Sequence, residues 1–120
     1  MQSLEENVKG LGPDRFQDDP ILAGIVHRLV EAFQPERIYL FGSKARSDES
    51  KDSDYDLMIV VPDNAPPEKR RSRLAYQALR GTRVAADVLV LPHQTFESRL
   101  HLKASLPATV IREGVLLYAS

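Results

Sequence analysis

One short stretch constrains this chain more than any other: Asp54 and Asp56 stand one residue apart at the start of the apolar run LMIVV. Such a continuous run is typical of a strand that is covered on both faces. Side chains in a strand alternate between faces, so Asp54 and Asp56 should share one face and Tyr55 should point to the other. Two carboxylates on one face repel each other unless a cation lies between them. The stretch therefore indicates a candidate cation site, although a solvated acidic loop is the simpler interpretation of the aspartates alone.

The composition of the chain is that of a soluble globular protein. It has 120 residues, 42% of them hydrophobic, which suffices for one domain with a real core. No cysteine is present, so thiolate metal sites, disulfides and cysteine nucleophiles are excluded. The N-terminus lacks the apolar segment of a secretory signal, and no apolar run approaches the roughly 18 residues of a membrane span. A cytoplasmic protein is expected, and the net charge of −1 argues against broad nucleic-acid binding.

Helical and strand patterns alternate along the chain, which predicts an α/β (α+β) fold with a small mixed β-sheet covered by helices. Residues 1–18 are expected to be weakly ordered, and residues 19–120 to form a single domain. Asp19 and Pro20 predict the cap and the first position of the first helix. The predicted strands are residues 37–41, 56–61, 84–92 and the segment VLLY after Gly114, and the further predicted helices lie within residues 64–81, 92–102 and 106–112.

Gly42 and Ser43 follow the strand at residues 37–41, at a turn into a short helix that is predicted to begin at Lys44. Free backbone N–H groups and the helix dipole favour an anion at such a turn. Glycine allows a phosphate to approach the backbone closely, and the Ser43 hydroxyl can donate a hydrogen bond to it. Lys44 and Arg46 add positive charge nearby. The alternative is a plain turn in which Ser43 caps the helix.

Asp87 lies within VAADVLVLP, a run that predicts a buried strand. An uncompensated carboxylate there would be costly, so Asp87 should either bind a metal or pair with an arginine such as Arg80 or Arg83. If Asp87 faces the same side as Asp54 and Asp56, three carboxylates converge from two strands. That arrangement suits two metal ions that bridge nucleotide phosphates and an attacking hydroxyl.

These residues resemble a known signature. Gly42 and Ser43, ten intervening residues, and then Asp54-x-Asp56 before an apolar strand are similar to the motif of the DNA polymerase β-like nucleotidyltransferases. The closest resemblance is to their minimal group, single small domains of about this length, and it covers roughly residues 20 to 118. The resemblance implies the nucleotidyltransferase fold, with ATP as substrate and two Mg²⁺ ions as cofactors.

The resemblance also assigns roles by position. It implies that the catalytic and metal-binding residues are Asp54, Asp56 and Asp87, and that the nucleotide-binding residues are Gly42, Ser43, Lys44 and Arg46. Asp87 would also assist deprotonation of the acceptor hydroxyl. Arg46 matches the arginine of the family's GSxARG run, whereas Ser47 stands where a glycine is common.

Many minimal nucleotidyltransferases are antitoxins of HEPN ribonuclease toxins, which they silence by transferring AMP from ATP to a toxin tyrosine. The resemblance therefore implies Mg²⁺-dependent AMPylation of a HEPN-type toxin, in a hetero-oligomer. Small-molecule nucleotidyltransferases complete their acceptor pocket with a second domain, for which 120 residues leave no room. Two alternatives stay open: an antitoxin that acts by binding and occlusion only, and a small-molecule nucleotidyltransferase that acts as a dimer.

A basic segment stays outside this assignment. Its cationic residues are Lys69, Arg70, Arg71, Arg73, Arg80 and Arg83. The ordinary interpretation of such a run is a solvated helix face, and the alternative is a docking surface for an acidic partner or for nucleotide phosphates.

Overall fold

The computed structural model describes residues 19–42 and 55–120, and within these ranges four strands form one sheet covered by helices. The strands are β1 (Arg37–Phe41), β2 (Tyr55–Val61), β3 (Ala86–Pro92) and β4 (Val115–Ala119). The α-helices are α1 (Pro20–Phe33), α2 (Ser72–Ala78), α3 (His93–Ser98) and α4 (Leu106–Glu113), and a 3₁₀ helix spans Pro67–Arg70. The predicted small mixed sheet covered by helices is confirmed. The expectations for residues 1–18 and for a helix starting at Lys44 lie outside the described residues.

The sheet has the order β3-β2-β1-β4, in which β1 is antiparallel to β2 and β4, and β2 is parallel to β3. Strand β2 is therefore interior, and all of its residues except Asp56 are buried. This confirms the prediction from its continuous apolar run. Strand β3 lies at the edge of the sheet and alternates between buried and exposed residues at its start. The expectation that β3 is buried holds for one face only, because Val88 packs into the core whereas Asp87 and Leu89 on the other face are exposed.

Helix α1 begins as the sequence predicts. The Asp19 carboxylate accepts a hydrogen bond from the Leu22 N–H over 3.0 Å, and Pro20 occupies the first helical position. The same carboxylate accepts a second hydrogen bond over 2.7 Å from the hydroxyl of Tyr55. Gln34 ends the helix in the left-handed conformation, with φ of 49°. One capping residue thus joins α1 to the first residue of β2.

The helix predicted within residues 64–81 is interrupted. Pro66 has an extended backbone with ψ of 157°, because the proline that follows it disfavours the helical conformation. A 3₁₀ helix follows, and Arg71 is again extended before α2 begins. The Arg70 guanidinium donates hydrogen bonds to the carbonyls of Asp63 and Ala65, which folds this segment back onto its own entry. Asn64 therefore caps no helix, and Lys69 and Arg70 lie in a different element from Arg73.

The two faces of the sheet carry different helices. One face packs against α1 and α2 through Leu57, Ile59 and Val88. The other face packs against α3 and α4, and its buried cluster consists of Tyr39, Met58, Val60, Phe96 and Val110. Asp56 and Met58 are separated by one residue in β2, so they share this second face. Among the helices of the described ranges, none is long and apolar enough to cross a membrane.

Candidate active site

Two carboxylates lie side by side at the start of the parallel strands. Asp56 of β2 is the register partner of Asp87 of β3. Partners on neighbouring strands are about 4.8 Å apart along the hydrogen-bonding direction and point to the same face. Asp56 is half-buried, and Asp87 is exposed. The structure thus brings together two of the three aspartates that the sequence singled out.

Gly42 lies against Asp56 from the other side. Residue 42 follows β1, in which Phe41 is the register partner of Asp56. The backbone at Gly42 has φ of +77°, a conformation that side chains disfavour. A Cβ atom at this position would collide with Oδ2 of the Asp56 side chain. Only glycine therefore leaves room for the Asp56 carboxylate, which has Gly42 on its β1 side and Asp87 on its β3 side.

Four of the predicted site residues lie outside the described ranges: Ser43, Lys44, Arg46 and Asp54. Their roles stay predictions. Within residues 19–42 and 55–120, no group of three His, Cys, Asp or Glu side chains could hold a metal ion. A third carboxylate beside Asp56 and Asp87 would therefore have to come from residues outside these ranges, and Asp54 directly precedes β2.

The environment of Asp87 differs from the buried one that the sequence predicts. It is exposed on an edge strand, so the cost of burying a carboxylate does not force it to find a partner. Ion pairs between described residues involve neither Asp87 nor the two arginines proposed for it, Arg80 and Arg83. The structure therefore gives no support to the ion-pair alternative, and the feature that distinguishes Asp87 is its position beside Asp56.

Comparison with known proteins identifies the family. The family model of the polymerase β nucleotidyltransferases matches residues 24–120. This chain belongs to that family. It is a nucleotidyltransferase, and the pair of aspartates beside a glycine lies at the start of its two parallel strands, β2 and β3. No curated protein matches the sequence at a significant level.

Solved structures share the fold of this nucleotidyltransferase. A proposed nucleotidyltransferase from Sulfolobus solfataricus superposes with a TM-score of 0.57 at 20% identity, covering 99% of this chain and 90% of that one. A toxin–antitoxin complex with AMP-PNP gives a TM-score of 0.53 at 22% identity, over 80% of this chain and 72% of that one. A mutant of the toxin–antitoxin pair MntA–HpeT gives a TM-score of 0.50 at 18% identity, over 79% of this chain and 71% of that one. At these identities the similarity establishes the fold.

Tyr55 anchors the start of β2, the strand that carries Asp56. Tyr55 points away from Asp56 into the core beneath α1, as strand alternation predicts. Its hydroxyl donates to Asp19, and its N–H donates to the carbonyl of Ala85 over 3.1 Å. Sequence reasoning assigned Asp19 only a capping role and missed this second bond, for which no local signal exists. The nucleotidyltransferase therefore holds the entry to β2 between a helix cap and the neighbouring strand.

The opposite end of the sheet has a structural charge network. Arg37 donates to the Tyr39 hydroxyl over 2.9 Å and to Glu97 of α3 over 3.1 Å. Burial lowers the pKa of Arg37, but the bonds to Glu97 and Tyr39 outweigh it and raise that pKa above its ordinary value. His93 contacts Glu36 over 2.6 Å, at the end of β3 away from Asp87. These groups fasten α3 to the sheet and lie away from the aspartates.

Asp87→Asn should leave the stability of the nucleotidyltransferase nearly unchanged. The side chain is exposed, and a surface substitution of this kind changes the free energy of unfolding by about 0.5 kcal/mol at most. Denaturant unfolding measures this, with Asp63→Asn as a control that removes the same charge at another exposed site. Nucleotidyl transfer should be lost in Asp87→Asn and retained in Asp63→Asn. A loss of about 3–5 kcal/mol would instead indicate a buried ion pair.

Proposed function

We propose that this chain transfers AMP from ATP to a tyrosine hydroxyl of a partner protein and so acts as the antitoxin of a HEPN-type toxin. The observation that carries the proposal is the pair Asp56 and Asp87 on adjacent strands, with Gly42 against the Asp56 carboxylate. In a nucleotidyltransferase, such a pair lies where the phosphates and the acceptor hydroxyl have to meet.

The donor set fits magnesium. Asp56 and Asp87 supply carboxylate oxygens on one face, which is the ligand type that Mg²⁺ prefers, and Asp54 is proposed as the third ligand. Position 42 has no side chain that would occupy the space beside Asp56. Two bound Mg²⁺ ions would neutralise the phosphate charge and lower the pKa of the acceptor hydroxyl.

The remaining tasks fall to residues of this chain. The backbone at Gly42 allows close approach of the triphosphate, and Ser43 is proposed to donate a hydrogen bond to it. Lys44 and Arg46 are proposed to add positive charge around the leaving pyrophosphate. These groups hold the α-phosphorus in line with the incoming oxygen, and much of the acceleration of phosphoryl-group transfer comes from such positioning.

The transfer replaces one bond at the α-phosphorus of ATP with another. The acceptor oxygen forms a bond to the α-phosphorus of ATP while the bond to the bridging oxygen breaks. Pyrophosphate leaves with that electron pair. The hydroxyl proton passes to the Asp87 carboxylate, which is exposed and can release it to solvent.

Two lines support a toxin as acceptor. Two proteins that share the fold were crystallised as toxin–antitoxin complexes, one of them with AMP-PNP. The carboxylate pair is also accessible from outside, since Asp87 is exposed on an edge strand. A hydroxyl carried by a second protein can therefore reach it, and we propose a complex of this chain with its toxin.

The test uses the protein encoded by the reading frame adjacent to this gene. Incubation with this chain, ATP and Mg²⁺ should add whole AMP units to a tyrosine of that protein, detected by intact mass and peptide mapping, and its toxicity should fall. EDTA should prevent the addition. Neutralisation without any gain in mass would instead identify an antitoxin that acts by occlusion, and AMP on a small hydroxyl compound alone would identify a small-molecule enzyme.

A further inference from the structure

A cleft of about 710 Å³ opens beside the candidate active site. Its floor is apolar and includes Met58, Leu89 and Leu106. Two of these side chains remain in contact with solvent, with 42% of Leu89 and 37% of Leu106 exposed. Apolar side chains grouped in a concave surface favour a ligand that brings apolar groups of its own.

The cleft lies beyond the two aspartates along β2 and β3. Met58 and Leu89 are register partners, and they are the next residues on the same face after Asp56 and Asp87, about 7 Å further along the strands. Gly42 lies on the opposite, β1 side of Asp56. A nucleotide held at Gly42 and a molecule held in the cleft would therefore approach the carboxylates from different directions.

The rim of the cleft is cationic. Arg70, Arg71, Arg73 and Arg99 line it, and the described lining residues include no Asp or Glu. Arg70 is engaged by backbone carbonyls. Arg71, Arg73 and Arg99 are exposed, and the ion pairs between described residues use none of them. Three exposed cationic side chains on one rim favour an acidic ligand.

The edge of the sheet supplies a third element of recognition. Val90 of the edge strand β3 also lines the cleft. The N–H of Val88 donates to the Tyr76 hydroxyl of α2 over 3.5 Å, so residue 88 directs its backbone away from β2. Val90 shares that direction because backbone groups alternate along a strand. Its N–H and C=O therefore point away from β2, on the free side of the edge strand, where an extended polypeptide can pair with them.

We propose that this cleft binds an extended acidic segment of the partner protein and so presents its tyrosine to Asp87. The inference rests on the proposed function and names the chemistry of the acceptor. The apolar floor, the arginine rim and the edge of β3 at Val90 together match a peptide with acidic residues around an apolar or aromatic side chain. Single-stranded nucleic acid fits less well, because the described lining residues include no aromatic ring on which bases could stack.

The test uses random copolymers of defined charge. Wild-type protein should bind a fluorescent glutamate–tyrosine copolymer more tightly than poly(U) RNA or a lysine–tyrosine copolymer, and salt should weaken this binding. The variant Arg71→Glu/Arg73→Glu should lose at least about tenfold in affinity for the acidic copolymer and gain affinity for the basic one. Thermal unfolding checks that the variant remains folded. Acidic side chains are also favourable at these positions, which begin α2.

The matched control is Arg80→Glu/Arg112→Glu, which changes the charge equally at two exposed arginines outside the cleft. It should bind the acidic copolymer within about twofold of wild type. Equal losses in both double variants, or tighter binding of poly(U) than of the acidic copolymer, would overturn the proposal.

One further measurement separates this inference from the proposed function. Stabilisation of the protein by ATP and Mg²⁺ should persist in Arg71→Glu/Arg73→Glu, because the cleft lining includes neither Gly42 nor the two aspartates. If AMP transfer to the partner protein is intact in this variant, the cleft proposal fails and the proposed function stands. If wild-type protein shows neither stabilisation by ATP nor transfer, the proposed function itself fails.

Discussion

Asp54→Asn/Asp56→Asn should abolish AMP transfer and remove the stabilisation that ATP confers in the presence of Mg²⁺. A ligand that binds only the native state stabilises it by about 2.7 kcal/mol at about 100 times its Kd. Without the two carboxylates the metal-dependent part of this gain should disappear, and transfer should fall by at least about 10²–10³-fold. Thermal unfolding with ATP, with and without Mg²⁺, measures the first effect, and intact mass of the partner protein measures the second.

The control is Asp63→Asn/Glu68→Gln, which removes two negative charges from exposed positions outside the site. It should keep both the stabilisation and the transfer. The Asp54/Asp56 variant should still bind the partner protein, because those carboxylates serve chemistry rather than docking. If it retains the full stabilisation by ATP and Mg²⁺, the two-metal site is wrong.

Gly42→Ala should reduce transfer by about 10²-fold while the protein remains folded. Alanine in the left-handed conformation costs about 1–2 kcal/mol, and here its Cβ would also displace the Asp56 carboxylate. A shift of about 1 Å in a reacting group can cost about 10²-fold in rate. Transfer to the partner protein and the melting temperature are measured on the same preparation.

Gly81 provides a matched control for this substitution. Its φ is +88°, close to the +77° of Gly42, but a Cβ there would meet no atom within 4 Å. Gly81→Ala should therefore lose a similar amount of stability and keep wild-type transfer. If Gly42→Ala transfers AMP as fast as Gly81→Ala, the contact between residue 42 and Asp56 has no role in catalysis.

Much of the framework was predictable because its signals are local. The cap Asp19 with Pro20 predicted the start of α1, and the uninterrupted run after Asp56 predicted an interior strand. Both signals act within a few residues. The sequence alone did not predict that Asp56 and Asp87 share a face. Alternation shows which residues of one strand share a face, but it does not give the register between two strands.

The predictions that failed concern features that depend on contacts between residues distant in the sequence. The apolar composition around Asp87 does not show whether its strand is interior or at the edge, and the strand order decides this. The break between the 3₁₀ helix and α2 involves hydrogen bonds from Arg70 to carbonyls of its own entry. The cleft brings Arg73 and Arg99 together from separate elements. No local pattern predicts that pairing.

The register between β2 and β3 ties the integrity of the core to the geometry of catalysis. A slip of one residue would place Val88 beside Asp56 and turn Asp87 toward the face that α1 and α2 cover. That slip would bury a carboxylate where Val88 now packs, at a cost of several kcal/mol. Insertions and deletions in the crossover between the two strands are therefore tolerated only if they leave the pairing in phase. Packing of the hydrophobic core and pairing of Asp56 with Asp87 therefore require the same register between the two strands.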